Sequence, residues 1–166
     1  QTGRLSCLKG ITKMARGKGR ASAYNMAVVA ACRRVRNRRS AMQSDRYATG
    51  LAMLEKVDGR GGEEVLESVR AISPDFARYL VEFPFGDIYA REGLDLKSRE
   101  IAVVAALTAM GTAGPQLRVH IGAALHVGCT RQEILEVIMQ MAVYAGFPAA
   151  LNGLFAARDV FAAHDA

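Results

Sequence analysis

The sequence predicts an all-α fold: a single helical domain of about six or seven helices. Three observations carry that prediction. Helix-starting and helix-stopping residues recur through the second part of the chain. The apolar positions between them return at helical spacing, and no segment sustains the two-residue alternation of a half-buried strand.

Ser44 or Asp45 can cap a first helix that runs to about Val57, with Tyr47, Leu51 and Leu54 on one face. The Gly59–Gly62 region breaks it, and Glu63 to Ala71 forms a short second helix. Ser73-Pro74-Asp75 is a helix start, with serine as N-cap, proline at the first helical position and an acid in the first turn. The third helix runs to about Tyr89, and Pro84 is predicted to kink or divide it. Asp95 starts a fourth helix, which continues through Ile101–Met110 and stops near Gly111. Pro115 opens a fifth, ended by Gly128. Thr130-Arg131-Gln132-Glu133 reads as a capping box for the sixth; Gly146 ends that helix and Pro148 opens the last, to about Ala163.

Two of these helices are more apolar than a small monomer can cover. Ile101–Met110 is apolar except for Thr108, and Ile134–Tyr144 is apolar except for Glu136 and Gln140. A helix without a polar face needs cover all round. Neighbouring copies of the chain are the simplest source, so a homo-oligomer is expected.

The 166 residues are 51 % hydrophobic and 23 % charged, the balance of a globular chain, with a net charge of +6. That charge is unevenly placed. Residues 1–41 hold eleven Lys and Arg and no acid, whereas residues 42–166 hold 11 basic residues against all 16 acids, a formal balance of −5. The fold is therefore assigned to residues 42–166, and residues 1–41 to a basic extension outside it. A nucleic-acid arm, an organellar targeting segment, or an extension preceding a natural start at Met42 all fit the composition; the abrupt switch at Met42 favours the last. Tyr24 is the extension's one aromatic residue, which argues against a nucleic-acid partner. Cys7, Cys32 and Cys129 are too few and too scattered for a disulfide framework or a zinc site, pointing to a reducing, cytoplasmic setting. No apolar stretch approaches membrane-spanning length, and the brief Ala27–Cys32 stretch makes no convincing signal peptide.

Glu100 shares a stripe with Val103, Val104 and Leu107, and His120 with Ala123, Ala124 and Val127. Both are therefore predicted to point inward, on consecutive helices expected to be antiparallel. A buried carboxylate is costly unless paired. The two side chains are either a core hydrogen bond or a proton-transfer pair. Arg99 could anchor a substrate carboxylate or sit on the surface of a first turn. His126 lies on another side of its helix from His120, so the two make no metal pair, and His164 is near the C-terminus. Glu133, Glu136 and Gln140 read as a solvated face and Cys129 as structural. No phosphate loop, nucleophile elbow or dinucleotide fingerprint is present, and neither cofactor nor metal is predicted.

The run Phe85-Gly86-Asp87-Ile88-Tyr89, followed by Gly93-Leu94-Asp95, Ser98-Arg99-Glu100, Gln116-Leu117-Arg118-Val119-His120, Gly128-Cys129-Thr130, Glu133-Ile134 and Glu136-Val137, resembles the carboxymuconolactone decarboxylase family. The similarity covers roughly Tyr47 to the C-terminus. It implies an alkylhydroperoxidase D-like helical domain assembled as a trimer, or as a hexamer of paired trimers. The peroxidase branch carries a Cys-x-x-Cys pair one turn before a histidine equivalent to His120; here those positions are Ala113 and Gln116, so thiol chemistry lacks its nucleophile. The resemblance to the decarboxylase branch is better. It implies a cofactor-independent decarboxylase of the 4-carboxymuconolactone type in aromatic-compound breakdown, acting on a small carboxylate lactone. His120 would be general acid or oxyanion donor, Glu100 its orienting or relay partner, and Arg99 a carboxylate anchor. An antioxidant protein of the peroxiredoxin kind and a non-catalytic oligomeric binding protein are the alternatives on this scaffold.

Overall fold

The computed structural model describes residues 23–165. The earlier part of the basic extension, with Cys7, lies outside the described residues. Those described are helical and fall into two compact units, with the boundary between Met42 and Gln43. The helices are α1 (Ala23–Ile72), α2 (Pro74–Leu80), a π-helical segment (Val81–Tyr89), α3 (Leu96–Met110), α4 (Gly114–His126), α5 (Arg131–Ala145) and α6 (Phe147–His164). The all-α expectation holds, and no strand occurs among the described residues.

The structure adds a helical stretch before Met42 and corrects two expectations about α1. Residues 23–42 are helical although the sequence shows no period there. The reason is propensity rather than pattern: the segment is rich in Ala and Arg, which favour helix wherever they point. Its apolar residues Met26, Val28, Val29 and Val35 are all exposed. Nor do Ser44 and Asp45 begin a helix, because neither Gly nor Pro interrupts the chain from Ala23 to Thr49. The Gly59–Gly62 break contracts to one residue, Gly59, with φ 54° and ψ −135°.

The other punctuation behaves as read. Ser73 caps α2, its hydroxyl accepting from the Phe76 N–H. Pro84 divides the third helix by changing its hydrogen bonding: a proline ring clashes with the carbonyl four residues back, and the chain widens to π turns such as Ala90 N–H to Phe85 O, 3.1 Å. Gly111 ends α3 in the left-handed region, and Thr130 and Glu133 close a reciprocal capping box on α5.

In the unit from Gln43 onward the packing forms two apolar clusters. One joins Val104, Leu117, Ile121, Ala124, Ile134, Ile138, Ala156 and Ala157 where α3 to α6 meet. The other joins Leu54, Val57, Leu66, Ala77, Val81, Phe85 and Ala123 from α1, α2, the π segment and α4. Helix α4 contributes to both, and the polar site lies on its side facing the second. Gly50 and Gly86 permit close approach there: a Cβ at Gly50 would fall 2.3 Å from the Val81 carbonyl oxygen, and one at Gly86 2.5 Å from that of Arg46. The bidentate Arg46–Asp87 ion pair, with Nε to Oδ1 at 2.8 Å, ties α1 to the π segment at that contact.

Candidate active site

The site begins with a helix cap. Asp95 accepts from the Ser98 N–H at 2.9 Å and from its hydroxyl at 2.7 Å, which sets where α3 starts. Glu100 then falls on the inward stripe with Val104 and Thr108, and its exposure is 0 %. Both oxygens are occupied. Oε1 accepts the Tyr89 hydroxyl at 2.6 Å, and Oε2 lies 2.9 Å from Nδ1 of His120. With the carboxylate accepting at Oε2, Nδ1 carries the hydrogen, and Nε2 is the ring nitrogen left for the pocket.

Burial by itself lowers the His120 basicity, but the hydrogen bond to Glu100 and the charges of Glu100 and Asp58 outweigh it, and the net shift is upward. The His120 side chain is 24 % exposed, so the pair reaches the protein surface through the imidazole alone. Burial, with the bond and charge of Glu100, pushes the Tyr89 phenol far above its ordinary value and keeps it a donor.

His120 opens onto a cavity of about 270 Å³. Its walls are mainly apolar, including Leu54, Leu66, Leu80, Phe85 and Val119; its polar members are His120, Gln116 and Asp58. Asp58 was missed in the sequence although its position was legible. It follows Tyr47, Leu51 and Leu54 on the same face of α1, the criterion that singled out Glu100 and His120. Burial raises the Asp58 carboxyl to about 6, with nearby Glu100 adding to the rise and His120 and His126 opposing it. Tyr89 was also missed as a partner, because its distance from Glu100 is set by the loop between the π segment and α3.

The structure brings His120 and Glu100 together and leaves Arg99 apart. Arg99 donates from Nε to the Leu94 carbonyl at 3.0 Å and from Nη2 to the Arg91 carbonyl at 2.9 Å, and its guanidinium lies over the Tyr89 ring. It does not line the cavity. Cys129 is buried and its thiol approaches the Lys97 carbonyl; burial pushes that thiol up, away from thiolate character. His126 stands beside Gly59. Among the described residues, no group of three or more His, Cys, Asp or Glu is placed to hold a metal ion, and no helix is long and apolar enough to cross a membrane.

Residues 74–159 match the carboxymuconolactone decarboxylase family. A 4-carboxymuconolactone decarboxylase from Acinetobacter baylyi is 32 % identical over 117 residues, 70 % of this chain and 87 % of the relative. The chain belongs to the carboxymuconolactone decarboxylase family. An uncharacterized 15.0 kDa protein of Paracoccus denitrificans is 37 % identical over 113 residues, covering 68 % of this chain and 79 % of the relative. A nitrosuccinic acid decarboxylase from Metarhizium robertsii is 30 % identical over 101 residues, 58 % and 69 % of the two chains. The family and its decarboxylase-named relatives support a decarboxylase-like function. Within the family match lie Tyr89, Glu100 and His120, whereas Asp58 precedes it.

Proposed function

We propose that the chain is a cofactor-independent decarboxylase acting on a 4-carboxymuconolactone-type substrate in aromatic-compound breakdown. The observation that carries the reading is the Glu100–His120 pair, with the buried carboxylate on one ring nitrogen and the cavity on the other. Loss of CO2 leaves an electron pair that needs a sink. The two decarboxylase relatives are named for acids that contain one, a lactone carbonyl in one and a nitro group in the other. The protein's task is then to stabilise negative charge on oxygen in a dry cleft. In this reading His120 acts as the imidazolium, in which both ring nitrogens donate: Nε2–H donates to that oxygen, Glu100 holds the ring and its charge, and Tyr89 holds Glu100. Arg99, occupied by two carbonyls, braces the loop before α3.

Alongside this reading we assign the exposed apolar residues at the α5–α6 end to contact between copies in a trimer or hexamer. Val143, Tyr144 and Phe147 are 78 %, 77 % and 73 % exposed. Light scattering of the purified chain gives the oligomer directly.

The test of function is CO2 release from 4-carboxymuconolactone by the full chain, with His120→Ala in parallel. Turnover by the parent alone is the expected result. No turnover from a folded parent removes the reading.

A further inference from the structure

Asp58 is a carboxyl at the cavity wall with an oxygen that meets no partner. Its Oδ1 is shut off from solvent and, among the described residues, forms no hydrogen bond. An unpaired buried oxygen costs free energy, most of all on a charged carboxylate, so burial there favours the protonated carboxyl; the residue itself lines the cavity beside His120. The surroundings are arranged around it. Gly59, the next residue, adopts a φ and ψ open only to glycine and interrupts α1 there. A Cβ at Gly59 would stand 3.3 Å from the His126 ring, and one at Gly62 only 2.7 Å from Asp58 Cβ. The charged and titratable groups facing Asp58 are Glu100 from α3 and His120 and His126 from α4. No Lys or Arg lines the cavity among the described residues.

We propose that Asp58 is the acid that protonates carbon in this site, while His120 holds the oxyanion. The inference rests on the decarboxylase reading above. The bond between the substrate's γ-carbon and its carboxylate breaks, and CO2 leaves. The electron pair moves through the ring to the lactone's carbonyl oxygen, forming a dienolate held by Nε2–H of the His120 imidazolium. The Asp58 O–H proton then passes to the α-carbon, the lactone carbonyl re-forms, and Asp58 is left as a carboxylate that solvent reprotonates. One carboxylate and one proton become one C–H bond and CO2, so the step balances. The carboxyl's raised value, near 6, supports the role by keeping its proton available close to neutrality.

Two measurements on the full chain separate this assignment from the reaction reading. One is CO2 release from 4-carboxymuconolactone. The other is exchange of the α-protons of α-angelica lactone, a simple β,γ-unsaturated γ-lactone, in D2O above the buffer background, followed by NMR. Asp58→Asn should lower both rates by ~10²–10⁴-fold, leave the KM for CO2 release little changed, and remove the decline of wild-type CO2 release as pH rises through about 6. Asp58→Glu, which keeps a carboxyl, should recover part of both rates. Asp58-dependent exchange without CO2 release would sink the decarboxylase reading and leave the proton assignment standing. CO2 release that survives Asp58→Asn would overturn the assignment and leave the reaction. A wild-type chain that does neither overturns both.

Discussion

Helix α3 carries two acid–base pairings three residues apart, and they behave as opposites. At its surface end Lys97 reaches Glu133 of α5 at 2.8 Å, with both side chains about two-fifths exposed. One turn on, Glu100, with no exposure at all, meets His120 of α4 at similar distance. The outer pair belongs to a helix cap. The bond from Lys97, then those from Thr130, hold the Glu133 carboxyl down at about 2. Such a pair is screened by water and changes little when broken. The inner pair sits where an unmatched charge is costly and opens onto a cavity. One helix thus separates a fastening from a candidate reaction centre, and burial makes the difference.

The largest expected effect tests the inner pair. His120→Ala should reduce decarboxylation by ~10²–10⁴-fold, and Glu100→Gln should bring the His120 pKa back down, as read by imidazole NMR titration. If Glu100→Gln leaves that titration unmoved, the carboxylate does not set the ring's charge state. Next comes the chain around Asp58. Gly59→Ala forces a side chain into the φ 54° conformation and should cost ~1–3 kcal/mol in a melting experiment. Tyr89→Phe removes one donor to Glu100, worth ~1.5–3 kcal/mol for a bond to a charged group; activity should fall with it. Thr130→Ala deletes the α5 cap and should cost ~1 kcal/mol with turnover intact. A Thr130→Ala variant as inactive as His120→Ala would erase the distinction between the two pairings.

The pH dependence sharpens the same contrast, because the groups shift in opposite senses. Glu133 is depressed, so its contribution is full above its ordinary value of 4.5 and is lost as pH falls towards about 2. Asp58 is raised from 3.8 to about 6, so its contribution is full below pH 4 and is lost as pH rises through 6. His120 is raised above 6.5, and its contribution likewise fades as pH climbs through the folded value. Asp58→Asn should therefore stabilise the fold at pH 7 to 8 relative to wild type while lowering activity by the ~10²–10⁴-fold given above. Melting curves across pH 4 to 8 check the sign.

Helix identity and most helix ends were legible because they depend on neighbours in sequence. Asp95, Gly111, Thr130 with Glu133, and Gly146 act within one turn of themselves. Glu100 and His120 were legible for a related reason: a polar residue on an apolar stripe is visible in the spacing alone. Asp58 met the same criterion, but the glycine cluster after it read only as a break, since nothing local shows that Gly61 and Gly62 stay helical while Gly59 turns. The helix over residues 23–42 escaped because propensity without amphipathic period leaves no pattern to find.

By itself, then, the sequence determined an all-α chain, its caps, and two inward polar residues, since each follows from backbone hydrogen bonding and helical period. Only the tertiary structure decided who meets whom. The Tyr89–Glu100–His120 chain joins residues from three segments, Arg99 turns back to its own loop, and Asp58 faces the cavity of His120. Those meetings depend on how close α1, the π segment, α3 and α4 approach. Side-chain volume and two glycine contacts set that closeness, and none of it is written at any one position.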